Sequence, residues 1–239
     1  GSEMCIRDRK KPLFLAGGGV NIAGANKAFT ELVERTQIPV VTTIMGRGAI
    51  PTTHPLFIGN LGMHGAYASN MAVEECDLLF SIGTRFNDRI TGKLHAFAPK
   101  ATIVHIDIDT SSISRNIQVD IPIVADAKEA IEKLLEYVEP IEKKESWMEQ
   151  IEGWKEEHPL RMKPKGDQMQ AQDILETINE VFKDDDKIVV TDVGQHQMFT
   201  SQYLEVNEKT RLYMSGGLGT MGYGFPGAVG AQYGNCNFR

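Results

Sequence analysis

Four apolar runs do most to limit what this chain can fold into: PLFLA (12–16), PVVTT (39–43), DLLFSI (77–82) and TIVHID (102–107). They are too short for helices, and their lack of polar alternation marks strands buried on both faces. The segments between them carry helical periodicity. Ala28, Phe29, Leu32 and Val33 line one face after the first run. Ala127, Ala130, Ile131, Leu134, Leu135 and Val138 fall at offsets 0, 3, 4, 7, 8 and 11 after the last. Strand–helix alternation of this kind predicts an α/β fold: a Rossmann-like parallel sheet with right-handed crossovers.

The pattern breaks and then resumes. Residues 139–167 are rich in charge and hold prolines at 140, 159 and 164, which marks a linker between domains. Trp147 and Trp154 lie seven apart within it, so part of the segment is expected to be a helix strapped onto a neighbouring domain. Beyond it come a helix over about 170–182, a turn at Asp184-Asp185-Asp186 and a strand KIVVTD (187–192). A helix start at Gln195-His196, a strand RLYMS (211–215) and a small-residue helix from Met221 follow. Residues 1–9, GSEMCIRDR, lack periodicity and read as a non-native leader. The expected organisation is therefore leader 1–9, central domain 10–138, linker 139–167, and the beginning of a second α/β domain over 168–239.

Charge and cysteine usage narrow the function classes. A net charge of -7 argues against a nucleic-acid or anionic-membrane surface. No apolar run approaches the ~18 residues of a membrane span, and no secretory leader is apparent. Three cysteines, with Cys5 and Cys236 near the ends and only Cys76 within an element, make no disulfide framework and no zinc motif. The expected setting is a reducing cytosol, with Cys76 a core residue.

Residues able to carry chemistry gather at strand ends. Gly17-Gly18-Gly19 closes the first run, where backbone amides can cradle a phosphate. The dinucleotide fingerprint fails at Ile22, where its third glycine would stand, so a plain tight turn stays open. Gly83-Thr84-Arg85-Phe86-Asn87-Asp88-Arg89 offers two arginines to a pyrophosphate, or else a solvated Arg–Asp loop. Asp107 and Asp109 are placed to accept ribose hydroxyls, or to make an Asx turn with Ser111 and Ser112. Asp126 reads as the N-cap of the helix opening at Ala127. Leu61-Gly62-Met63-His64-Gly65 brings backbone and an apolar side chain within reach of a flat ring. In the second block, Gln195 and His196 stand at a strand-to-helix junction suited to an anion. The segment from Gly216 to Gly224 has five glycines in nine residues, with Met221 its bulky apolar group.

In order along the chain, AGGGVN, TTIMGRG, LGMHG, GTRFNDR, VHIDID, DIPIVAD, VGQHQM and SGGLGTMGYGFPGAVGAQ resemble the large catalytic subunits of the acetolactate (acetohydroxyacid) synthase family, over about residues 10–234. The resemblance implies a central FAD-binding domain followed by part of a thiamine-diphosphate domain. By position it assigns Gly17, Gly18 and Gly19 to the FAD cradle, with Thr43 and Ile44 beside them. Leu61, Gly62, Met63 and His64 would approach the flavin. Gly83, Arg85, Asn87 and Arg89 would meet phosphates and ribityl chain, and Asp107, Ile108, Asp126 and Ala127 the adenosine. Gln197, Met198, Gly216 and Gly217 would touch FAD from the second domain. Val193, Gly194, Gln195, His196 and Gly219 would contact thiamine diphosphate. Met221 would sit beneath its thiazolium and hold the cofactor bent, so Met221 and Gln195 are the expected catalytic residues.

What the resemblance implies about activity is a transferase of branched-chain amino-acid biosynthesis. It would condense pyruvate with a second 2-keto acid with loss of CO2, its FAD not cycled. The family commonly has Asp where Asn87 stands. It also has an activating glutamate in an N-terminal domain and Mg2+ ligands in a Gly-Asp-Gly segment, both expected outside this chain, so the fragment alone is expected to be inactive. Homo-oligomerisation and a small regulatory subunit are implied partners. Two other readings stay open: another flavin-containing thiamine enzyme, such as a pyruvate oxidase or glyoxylate carboligase, and a non-catalytic nucleotide-binding module.

Overall fold

A computed structural model of the protein describes residues 6, 8–163 and 166–234. Cys5, Cys236, Pro164 and most of the expected leader lie outside the described residues. The chain divides into two compact units, one of Gly1–Ile50 with His54–Pro159, the other of Pro51–Thr53 with Leu160–Arg239.

The first unit is built on a parallel sheet of six strands among the described residues: β1 (Pro12–Ala16), β2 (Val40–Thr42), β3 (Phe57–Asn60), β4 (Leu78–Ile82), β5 (Thr102–Asp107) and β6 (Ile121–Val124). Their order is β3-β2-β1-β4-β5-β6, that of doubly wound dinucleotide folds, in which winding reverses between β1 and β4 and opens a crevice beyond their carboxyl ends. β1, β2 and β4 are buried along their whole length, as uniform apolar runs require. Phe14 sits at the centre, edge-to-face with Phe29 at 5.7 Å and with Phe80 at 5.5 Å.

The two edge strands are additions to the sequence reading. β3 alternates half-buried and buried, contains Gly59 at φ 149°, and meets β2 with a register shift between Val40 and Val41. β6 alternates half-buried and exposed, and it carries Pro122, which an edge strand tolerates because one side of it needs no ladder donor. Neither run has the unbroken apolar character that marks an inner strand.

Helices cover the sheet. α1 (Gly18–Ile22) is a single turn, followed by α2 (Asn26–Thr36), which buries Phe29, Leu32 and Val33. α3 (Tyr67–Glu75), α4 (Asp88–Thr91) and α5 (Ala127–Leu135) follow. Asp126 caps α5, accepting from the amides of Lys128 at 2.8 Å and Glu129 at 3.3 Å. α6 (Glu145–Glu157) rises out of the charged stretch and packs on α3 within the first unit. Its Trp147 is buried, donates through Nε1 to the Pro12 carbonyl at 3.0 Å and meets the Trp154 ring edge-on. Ile6, inside the nine-residue leader set apart above, is also buried in this core. Cys76 is fully buried, and burial first, with the Asp77 charge adding to it, pushes its thiol up to about 12. That is a packing residue, not a nucleophile.

The second unit pairs β7 (Lys187–Thr191) in parallel with β8 (Thr210–Met214), flanked by α7 (Ala171–Val181), α8 (Gln195–Tyr203) and α9 (Gly224–Gly234). Residues 51–53 belong with it because the Thr52 amide donates to the Val206 carbonyl at 2.8 Å and the Val206 amide returns to Thr52 Oγ1 at 3.0 Å. α9 begins three residues later than the sequence reading placed it. Gly222, at φ 90°, holds the chain out of helical conformation until Gly224. No helix among the described residues is long and apolar enough to cross a membrane.

Trp147 ties α6 to the first strand by packing and by one hydrogen bond, and the two are separable. Trp147→Ala is expected to cost about 3–5 kcal/mol in urea unfolding. Trp147→Phe, which keeps a ring but strands the Pro12 carbonyl, is expected to cost about 1–3 kcal/mol. Trp147→Phe as stable as the unsubstituted protein would show that the indole hydrogen bond contributes nothing, and equal losses in the two variants would show that the packing contributes nothing.

Candidate functional site

The crevice of the first unit is closed by glycines. A Cβ on Gly17 would stand 2.1 Å from the Gly83 carbonyl oxygen, and one on Gly19 would stand 2.6 Å from Gly83 Cα. Gly83 itself is at φ 62°, a conformation costly for side-chain-bearing residues. Backbone bonds lace the same strand ends: Gly17 N to Ile82 O at 2.8 Å, Gly19 N to Gly83 O at 3.0 Å, and Gly83 N to Ile106 O at 2.8 Å. The Gly19 amide is thus taken up inside the protein. α1 is a single turn, so a phosphate cradle here rests on the glycine surface more than on a long helix end.

The other expected segments of this unit meet at the same edge. Thr43 accepts from Gly46 N through its hydroxyl at 3.0 Å and donates its own amide to Ala16 O at 3.0 Å, and Ile44 opens the 3₁₀ turn Ile44–Gly46. A Cβ on Gly46 would lie 2.0 Å from Ala16 O, so this turn presses on β1 as closely as Gly17 presses on Gly83. Leu61 is buried, Gly62 is at φ 102°, Met63 is exposed, and the Met63 amide donates to Arg89 O at 3.0 Å. His64 is exposed beside it. Arg85, Asn87 and Arg89 are exposed, and no carboxylate among the described residues lies within ion-pair distance of either arginine. The Arg–Asp loop that the sequence left open does not form, and both guanidinium groups face solvent beside the crevice.

Two aspartates turn out differently. Asp109 is used locally: its carboxylate accepts from Ser111 N, Ser111 Oγ and Ser112 Oγ, and the Ser111 hydroxyl first among these holds it below the usual carboxylate range. Asp107 takes the Asp109 amide on Oδ1 at 2.9 Å, has buried His105 Nε2 at 3.6 Å from Oδ2, and stands at the end of β5 with Ile108 exposed next to it. Asp126 is occupied as a helix cap, and Ala127 is buried.

Sequence reasoning missed the side chains that hold these loops. Asn21 Nδ2 donates to Met45 O at 3.0 Å and Arg47 O at 3.1 Å, and Asn26 to Gly48 O at 2.7 Å. Asn70 grips Gly62 in both directions, at 2.8 and 3.1 Å. Asn116 Nδ2 reaches Phe86 O at 3.0 Å, and buried His105 bonds Thr84 O through Nε2 at 2.8 Å. Phe86 needs this support, being at φ 50° with a bulky side chain. Buried Arg47 lies over the Phe57 ring, and desolvation pushes its guanidinium down to about 10. The one available signal was an asparagine or histidine set among apolar residues, which does not name its partner.

In the second unit the expected residues sit beyond the ends of β7 and β8. Val193 and Gly194 lead into α8, where Gln195 and His196 are exposed at its first turn. The next amides, Gln197 and Met198, bond back to Gly194 O at 3.1 and 3.4 Å. The Gln197 side chain is buried, with its Nε2 lacking a partner among the described residues. After β8, Gly216, Gly217 and Gly219 make a turn, with open space where a Cβ on Gly217 or Gly219 would stand. From this turn Leu218 and Met221 project, 95% and 79% exposed. Asp192, at the end of β7, accepts from Val193 N, Gly222 N and Gly224 N, which hold its carboxyl below the usual range, Val193 contributing most. Exposed apolar groups on an open glycine turn, beside a helix start with exposed polar residues, suit a ligand with a flat ring and an anionic tail. Among the described residues no group of three His, Cys, Asp or Glu could hold a metal ion.

The family described as "Thiamine pyrophosphate enzyme, central domain" matches residues 4–134, and "Thiamine pyrophosphate enzyme, C-terminal TPP binding domain" matches residues 192–237. The chain is 45% identical over 234 residues to a probable acetolactate synthase large subunit of Methanocaldococcus jannaschii, covering 95% of this chain and 40% of that protein. It is 42% identical over 229 residues to the acetolactate synthase isozyme 3 large subunit of Escherichia coli, covering 93% and 40%. To the acetolactate synthase large subunit of Lactococcus lactis it is 40% identical over 228 residues, covering 95% and 40%. The chain thus spans 40% of the length of each of these relatives.

The glycine contact at the crevice gives a direct comparison. Gly17→Ala is expected to destabilise the protein by about 1–3 kcal/mol through overpacking against Gly83. Gly153→Ala, in α6 with nothing within 4 Å of the new methyl, is expected to stabilise it by about 0.5–1 kcal/mol. Unfolding midpoints moving in the same direction for both would contradict the closed crevice.

Proposed function

The chain belongs to the thiamine pyrophosphate enzyme family, and we propose that it is a segment of the large catalytic subunit of an acetolactate synthase. The whole protein would condense pyruvate with a second 2-keto acid with loss of CO2, in branched-chain amino-acid biosynthesis. The observation that carries this is in the second unit: Met221 stands exposed on a glycine turn beside the start of α8. The names borne by relatives of 40–45% identity along nearly the whole chain support it.

When bound, thiamine diphosphate supplies the nucleophilic carbon and the electron sink for decarboxylation. The residues of this chain would hold and shape it. Val193, Gly194, Gln195, His196 and Gly219 offer backbone and polar groups to the diphosphate side, and Met221 an apolar support for the ring system. In the first unit, FAD is assigned to the crevice. Gly17, Gly18, Gly19 and Gly83 would allow close backbone approach, Arg85 and Arg89 would meet phosphates, Met63 the flavin side, and Asp107 and Ile108 the adenosine end. Mg2+, a cytosolic location, a homo-oligomer and a small regulatory subunit belong to the proposal for the whole protein. Few cysteines and an acidic surface agree with that setting.

The whole protein, given thiamine diphosphate, Mg2+ and FAD, is expected to form acetolactate from pyruvate in a colorimetric assay. Binding of FAD without any product would instead support a non-catalytic module. In that protein Arg85→Ala is expected to weaken FAD binding roughly tenfold, because one charge-assisted phosphate contact is lost. Flavin fluorescence titration reads this, and unchanged affinity would remove Arg85 from the site. Met221→Ala is expected to lower the maximal rate far more than the affinity for thiamine diphosphate. A normal maximal rate reached only at much higher cofactor concentration would contradict its role.

A further inference from the structure

We propose that Asp192 is the positioning residue that holds Met221 in place, acting through the backbone of the glycine-rich turn. This rests on the reading of Met221 as a group that touches the cofactor.

Met221 lies between two anchors, 29 residues from one of them in sequence. On its N-terminal side, the Thr220 amide donates to Ser215 Oγ at 3.0 Å and the Gly219 amide to Ser215 O at 3.0 Å. On its C-terminal side, the Gly222 amide donates to Asp192 Oδ1 at 2.9 Å and the Gly224 amide to Asp192 Oδ2 at 3.0 Å. Ser215 follows β8 and Asp192 follows β7, and these strands are in parallel register from Lys187↔Thr210 to Thr191↔Met214. The turn is therefore suspended from the ends of two adjacent strands, with Met221 as the residue between the points of attachment. The peptide following Met221 is fixed directly, because its N–H is the Gly222 donor.

Two features show that the clasp fits closely. A Cβ on Gly224 would come within 2.8 Å of Asp192 N and 2.9 Å of Asp192 Cβ, so this helix start lies directly against the strand end. Gly222 is at φ 90°, and the turn would gain freedom to leave that conformation if the hydrogen bond its amide donates to Asp192 were lost. Both carboxylate oxygens are committed, Oδ1 to Val193 and Gly222 and Oδ2 to Gly224. An asparagine cannot replace this. It has one acceptor oxygen, and in either orientation of its amide at least one backbone N–H faces an NH2 donor. A carboxylate with three backbone donors is what the geometry demands, and Asp192 acts on the exposed Met221 through the backbone of the turn.

The test is Asp192→Asn in the whole protein, alone and combined with Met221→Ala. Without cofactor, amide hydrogen exchange in a peptide spanning 216–226 is expected to speed up roughly tenfold, with exchange in β7 and β8 unchanged. Gly224→Ala, which forces the same clasp apart from the other side, is expected to give the same local change, so the proposal does not hang on one variant. With cofactor, Asp192→Asn is expected to lower the maximal rate more than it raises the half-saturating thiamine diphosphate concentration. In the Met221→Ala background the same substitution is expected to have almost no further effect on rate. Unchanged exchange at 216–226 in both variants, or a full multiplicative rate loss in the double variant, would overturn the positioning role. A normal rate in Met221→Ala alone would instead overturn the reading of Met221 and leave the exchange result to judge Asp192.

Discussion

The contact on which the first unit depends is between backbones, where the chain leaves β1 and β4. These strands lie side by side at the point where winding reverses, and their outgoing loops touch through Gly17, Gly19 and Gly83 with no room for a methyl group. The 3₁₀ turn after β2 presses on β1 in the same way through Gly46. Three strand ends are thereby gathered into one floor. The loops that rise from it have little choice of direction. A side chain at any of these positions would push the strand ends apart, so the crevice is fixed by what the glycines lack.

Above that floor the loops are held mainly by side chains bonding to backbone. Asn21 and Asn26 hold residues 45–48, Asn70 holds Gly62, and Asn116 with His105 holds Thr84 to Phe86. The second unit repeats the device with a carboxylate, Asp192 holding Gly222 and Gly224. Helices supply Asn21, Asn26 and Asn70, strand β5 supplies His105, and Asp192 directly follows β7, while exposed side chains such as Arg85, Met63 and Met221 stand on the loops they hold. Exposed apolar and cationic groups on a preformed backbone are what a site needs when its ligand combines flat rings with phosphates. Such groups would otherwise be poor choices for a surface.

The inner strands were legible because burial on both faces leaves an unmistakable apolar run, and the chain order of those runs already implied a parallel sheet. The edge strands were not, since β3 contains Gly59 and β6 contains Pro122, residues that an inner strand would reject. The helix after the glycine-rich segment was placed early, at Met221, because periodicity cannot see that Gly222 adopts a positive φ. Loop residues that face the crevice were recognisable from motif strings. The anchors were not, since an asparagine or aspartate 8 to 32 positions away carries no local sign of which backbone it will bond. Asp109 shows the reverse case, an apparent ligand residue absorbed by its own turn.

The central claim is that the carboxyl edge of the six-stranded sheet is the flavin site, and hydrogen–deuterium exchange of the whole protein with and without FAD tests it most directly. The account predicts slowed exchange on FAD addition in the segments around 17–20, 43–48, 61–65, 83–90 and 107–109, with the opposite strand ends near Lys11, Asp77 and Thr102 unaffected. Protection confined to those opposite ends, or absent from the crevice segments while FAD is demonstrably bound, would contradict it.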